Sequence, residues 1–96
     1  MFIIITSYLK ELPQVDEHLE AHRAHLALGY QKNYFFCSGP KNPRTGGIIL
    51  SQLQDKDILE CFLALDPFCI EGIASYEIIE FNPVQSHPDF KILLAK

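Results

Sequence analysis

Phe2-Ile3-Ile4-Ile5-Thr6-Ser7-Tyr8, FIIITSY, is apolar and β-branched almost without interruption. A strand with one wet face alternates apolar and polar residues, so an unbroken run reads as a strand buried on both faces. Such a strand lies inside a sheet, and something must cover each side of it. Moving outward, the turn-like KELP leads into Gln14 to Gln31, where Val15, Leu19, Leu26 and Tyr30 recur at helical spacing. Pro13 stands where a helix start tolerates proline. Lys32 and Asn33 interrupt the pattern, and Tyr34-Phe35-Phe36-Cys37 is aromatic enough for a short second strand.

Two prolines and three glycines in Ser38 to Gly47, SGPKNPRTGG, mark a loop between strands. A third strand is expected from Gly47 to Leu53. Asp55 or Asp57 caps a second helix to about Leu65, with Ile58, Phe62 and Leu65 on its buried side. Asp66-Pro67-Phe68 is a break with a short turn, and a fourth strand runs from Ile73 to Phe81. The order β-α-β-β-α-β is the α+β, ferredoxin-like pattern, an antiparallel sheet with two helices on one face. Ile3-Ile4-Ile5, Ile48-Ile49-Leu50 and Ile78-Ile79 offer apolar side chains to both faces. The simplest cover for the second face is another copy of the chain, which makes a homodimer through the sheet faces. The tail either adds a strand or reaches across to that partner.

Ninety-six residues make one domain, near the lower size at which a single core holds a fold, so dimerisation would help it. No apolar run approaches the roughly 18 residues needed to span a bilayer. FIIITSY follows Met1 without the basic flank or cleavage site of a signal peptide, which makes the cytoplasm the default. Three scattered cysteines, Cys37, Cys61 and Cys69, form no C-x-x-C pair and suit free thiols in a reducing compartment. The net charge of −4 argues against a nucleic-acid surface, which shows a basic stripe. The expected partners are a small-molecule ligand and a second copy of the chain.

The stretch EAHRAHLALGY, from Glu20 to Tyr30, holds the first candidate for chemistry. At about 100° per residue His22 falls in the sector of Val15, Leu19, Leu26 and Tyr30, and points toward the sheet. It is either a core histidine satisfied by its neighbours or a general acid/base in a cleft between helix and sheet. His18, His22 and His25 share one helical face, but no carboxylate or cysteine at close spacing completes a metal set, and neither metal nor cofactor is expected. Asp66 before Pro67 reads as an N-cap with proline at the first helical position. A carboxylate there also suits the fixing of a histidine tautomer, and the two roles are compatible. Ser38, beside Gly39-Pro40, is a turn former or a cleft residue, and Arg44 and Thr45 before Gly46-Gly47 are candidates for binding an anion.

HRAHL at 22–26, CSGP at 37–40, PRTGGIIL at 43–50, DPF at 66–68 and YEIIEFNP at 76–83, in this order, resemble the YCII-related family. The resemblance implies one domain over 1–96, with a core to 83 and a tail over 84–96, folded as a dimeric α/β barrel. It also implies a histidine–aspartate pair in a cleft, by position His22 and Asp66, with Ser38 before Gly39-Pro40 lining it; together with Arg44 and Thr45 these make the expected substrate-binding residues. A metal-independent lyase, isomerase or hydrolase acting by acid/base chemistry on a small organic or aromatic acid follows from it. Two other readings stand beside this one: a non-catalytic metabolite-binding or regulatory dimer, and a structural dimerisation domain.

Overall fold

The computed structural model describes residues 1–94. The elements are β1 (Phe2–Tyr8), α1 (Leu12–Glu17), α2 (Leu19–Gln31), β2 (Phe35–Pro40), β3 (Gly46–Ser51), α3 (Lys56–Ala64), α4 (Pro67–Ile70) and β4 (Ala74–Glu80). Short 3-10 turns over Pro88–Leu94 follow. The strands form one antiparallel sheet in the order β2-β3-β1-β4. This is the ferredoxin-like arrangement, and FIIITSY is an inner strand with a neighbour on each side.

Alternation along β1 assigns its two faces. Phe2 and Ile4 are fully buried against Leu59, Phe62 and Leu63 of α3 and Phe35 of β2. Burial of side chains of this size contributes about 1.5–3 kcal/mol each, so this cluster carries much of the fold. Ile3, Ile5 and Leu50 point the other way and are only partly buried, while Ile79 beside them is exposed. A second, smaller core of Val15, Phe68, Ile73 and Ala74 joins α1, α4 and β4. Among the described residues no helix is long and apolar enough to cross a membrane.

The expected helix from Gln14 to Gln31 is two helices, broken at His18 (φ −109°, ψ 2°), whose backbone N–H bonds the Val15 carbonyl. Tyr30 is 37% exposed, and Gly29 is the buried residue of α2. A Cβ at Gly29 would overlap the Phe35 ring, so the helix approaches β2 as closely as only glycine permits. Asn33 in the left-handed region closes α2: its N–H bonds the Tyr30 carbonyl and the Tyr34 N–H bonds the Gly29 carbonyl.

Two further expectations are corrected, for β2 and for the buried side of α3, and two are narrowed. β2 does not stop at Cys37 but continues to Pro40, so Ser38, Gly39 and Pro40 lie on a strand paired with β3 rather than in a loop. β2 is an edge strand, where proline's missing N–H breaks no ladder. Asp55 is the cap of α3, its carboxylate accepting from the Asp57 and Ile58 N–H groups. The buried side of that helix is Leu59, Phe62 and Leu63, whereas Ile58 and Leu65 are exposed. Among the described residues the tail adds no strand; its last two residues lie outside them.

Candidate active site

The end of α3 builds the site. Asp66 accepts the Phe68 N–H at 2.9 Å and so caps α4, with Pro67 supplying the preset φ of the first helical position. Phe68, two residues on, stacks face to face on the His22 ring at 3.9 Å between centroids, 1° from parallel. The same Asp66 carboxylate meets His22 Nδ1 at 2.9 Å through Oδ1 and 2.7 Å through Oδ2. One aspartate thus fixes the helix that carries the stacking ring and the imidazole that ring lies against.

Asp66 is completely buried, while the His22 side chain is 13% exposed. A carboxylate has no proton to donate, so Nδ1–H donates to it and the tautomer leaves Nε2 as the second nitrogen. Nε2 has no hydrogen-bond partner among the described residues. His22 lines a cleft of about 320 Å³ between α2 and the sheet, at the small end of ligand-sized pockets. Phe68, Tyr8, Leu19 and Leu26 supply its apolar surface. Ser38, Gly39, Pro40 and Arg44 line it as well, and Arg23 of α2 is at its rim.

Thr45 is not in the cleft wall: its side chain is exposed and its carbonyl accepts the Tyr8 N–H at 2.9 Å. Arg44 reaches Asp16 of α1 at 2.6 Å and lies 5.9 Å from the centre of the Tyr8 ring. These contacts, Asp16 first, hold its guanidinium above its usual range. Ser38 Oγ is hydrogen-bonded to the Tyr30 hydroxyl at 2.6 Å and to no histidine, so no base activates it as a nucleophile among the described residues.

The sequence reading missed Tyr76 and gave His25 no role. Tyr76 of β4 donates its hydroxyl to Asp66 Oδ2 at 2.9 Å. Burial, with the adjacent Asp66 charge, pushes that phenol far above the ordinary tyrosine value, and it remains a donor. His25 donates from Nε2 to the Phe62 carbonyl at 2.7 Å and stacks on the Phe62 ring. The only sequence signal for Tyr76 was its alternation with Ala74 and Ile78 toward the helix side of the sheet. Among the described residues no three His, Cys, Asp or Glu side chains gather to hold a metal.

The fold is shared with 5-chloro-2-hydroxyhydroquinone dehydrochlorinase (TftG) from Burkholderia phenoliruptrix AC1100, solved in complex with 2,5-dihydroxybenzoquinone. The two superpose with a TM-score of 0.62 over 84% of this chain and 93% of that one, at 18% sequence identity. No curated protein matches the chain. The family model of the YCII-related domain matches residues 1–82, and the chain belongs to that family.

Proposed function

We propose that this protein is an enzyme of proton transfer on a small cyclic or aromatic acid, with His22 as the acid/base and Asp66 as the residue that orients it. The observation that carries the reading is a mostly buried imidazole on a cleft wall whose Nδ1 is tied to a buried carboxylate while Nε2 has no partner among the described residues. Nε2 takes a proton from a carbon or hydroxyl of the substrate, and the imidazolium is stabilised by Asp66. It then returns the proton to a leaving group, as in a lyase, or to another atom of the same molecule, as in an isomerase; a hydrolase would use it to activate water. General acid–base catalysis of this kind is worth about 10²–10⁴-fold in rate. Phe68, Tyr8, Leu19 and Leu26 suit a flat ring, and the guanidinium groups of Arg23 and Arg44 suit its acidic substituent. Ser38, Gly39 and Pro40 border the same space, whereas Thr45 has no part in it. The similarity to a dehydrochlorinase supports the reading, since loss of hydrogen chloride begins with a proton.

The protein acts as a homodimer in this reading, with a second copy over the open face that holds Ile3, Ile5, Leu50 and Ile79. Exposed free thiols at Cys37, Cys61 and Cys69 suit the reducing cytoplasm. Ile5→Asp is expected to give a monomer in sedimentation equilibrium.

The deciding experiment is an NMR titration of the imidazoles in wild type and Asp66→Asn, with and without 2,5-dihydroxybenzoquinone. The expected result is a His22 signal that titrates, with a midpoint that falls in Asp66→Asn, and that moves on addition of the quinone. A His22 signal indifferent to Asp66 would sink the acid/base reading. The complete burial of Asp66 favours a rival, in which the pair only locks α2 to α4; under it His22→Ala lowers the unfolding temperature and the quinone leaves His22 unmoved. A metabolite-binding module would take up the ligand with no turnover.

A further inference from the structure

We infer that Tyr76 is a positioning residue of the His22–Asp66 pair, holding the carboxylate from β4 in the orientation in which it serves His22. The inference rests on the acid/base reading above and deepens it.

The argument is one of hydrogen-bond geometry. A carboxylate has two oxygens and room for about four donors. His22 Nδ1 lies within hydrogen-bond distance of both Asp66 oxygens, 2.9 Å from Oδ1 and 2.7 Å from Oδ2. Each oxygen also has a donor of its own from another element. Oδ1 receives the Phe68 N–H, and Oδ2 receives the Tyr76 hydroxyl, both at 2.9 Å. The first of these is the cap that an N-terminal aspartate makes in any helix. The second has no part in capping: it comes from the sheet, from a residue that pairs with Thr6 on β1. With one oxygen pinned from α4 and the other from β4, the carboxylate cannot turn away from the imidazole without breaking a bond. No buried side-chain polar atom among the described residues is left without a partner, so this network is closed.

A donor on Oδ2 does more than hold it. It draws carboxylate charge toward itself and weakens the pull on the imidazolium. Removing the donor and removing the acceptor charge therefore move His22 in opposite directions. The other charged or titratable groups that line the cleft with His22 are Arg23 on its own helix, Arg44 from the β2–β3 loop and Tyr8 of β1. None of them is altered by a change at Tyr76, which leaves a shift in His22 as a report on the Tyr76–Asp66 bond.

The test is the imidazole titration of wild type, Tyr76→Phe and Asp66→Asn by NMR, with thermal unfolding of each. Tyr76→Phe keeps the ring and loses only the hydroxyl; the His22 midpoint is expected to rise, against a fall in Asp66→Asn. Fluorotyrosine incorporated into Tyr8→Phe protein makes the donor stronger without changing the packing and is expected to lower the midpoint, a measurement that stands if Tyr76→Phe does not fold. If the unfolding temperature falls in Tyr76→Phe while the His22 midpoint stays, Tyr76 is an ordinary core tyrosine and the inference is overturned. If Asp66→Asn also leaves the midpoint unmoved, the acid/base reading itself has failed.

Discussion

His22 and His25 stand three residues apart on α2 and are built alike. Each stacks on a phenylalanine, Phe68 at 3.9 Å and Phe62 at 4.2 Å, and each makes a 2.7 Å hydrogen bond to another element. They differ in the partner. His25 donates to the Phe62 carbonyl near the end of α3, which also accepts the Leu65 N–H, and so ties α2 to α3. His22 donates to a buried carboxylate and lines a cleft that His25 does not. The stack and the bond length are common to both, while the anionic partner and the adjoining space set His22 apart as the candidate for chemistry.

The comparison breaks most readily at Asp66. Asp66→Ala strips the α4 cap, the His22 acceptor and the Tyr76 acceptor together, and urea unfolding is expected to show a loss of about 3–5 kcal/mol. A loss no larger than that at His25 would mean that the two histidines are equivalent after all. His22→Ala leaves Asp66 its other two donors, and a smaller loss of about 1–3 kcal/mol is expected, together with loss of quinone binding by calorimetry. Alkaline pH probes the same carboxylate from the sheet side. Burial raises the folded Tyr76 above the unfolded tyrosine value of about 10, so the stability it contributes is whole below that pH and declines above it. The decline is at most about 1.4 kcal/mol per pH unit, and Tyr76→Phe is expected to lack it in unfolding curves recorded at rising pH. His25→Ala sharpens the contrast: about 1 kcal/mol of stability is lost and the His22 titration midpoint stays where it was.

Much of this was legible in the chain. The double-sided character of FIIITSY placed β1 inside the sheet, and the turn chemistry of Asp66-Pro67 placed a cap there. His22 read as inward-facing, and it is the histidine that lines the cleft. The errors have physical causes. Ile58, Phe62 and Leu65 fit helical spacing as well as Leu59, Phe62 and Leu63 do, and the rotation of α3 about its axis is decided by the sheet it packs on. Glycine and proline in Ser38 to Pro40 spoke against a strand, but an edge position tolerates them. Arg44 lines the cleft, and its pairing with Asp16 is a contact the sequence did not signal at a separation of 28 residues.

What the sequence determined by itself is local: the alternation that makes strands, the periodicity that makes helices, the caps, and which side of α2 carries histidine. These follow from backbone geometry and near-neighbour chemistry, which act over a few residues. Tertiary structure alone decided that the histidine 44 residues before Asp66 meets it, that Tyr76 completes the carboxylate's donors from β4, and that His25, built like its neighbour, meets a neutral carbonyl. Partners of that kind are chosen by how helices dock on a sheet, where a modest rotation changes which side chain faces which charge.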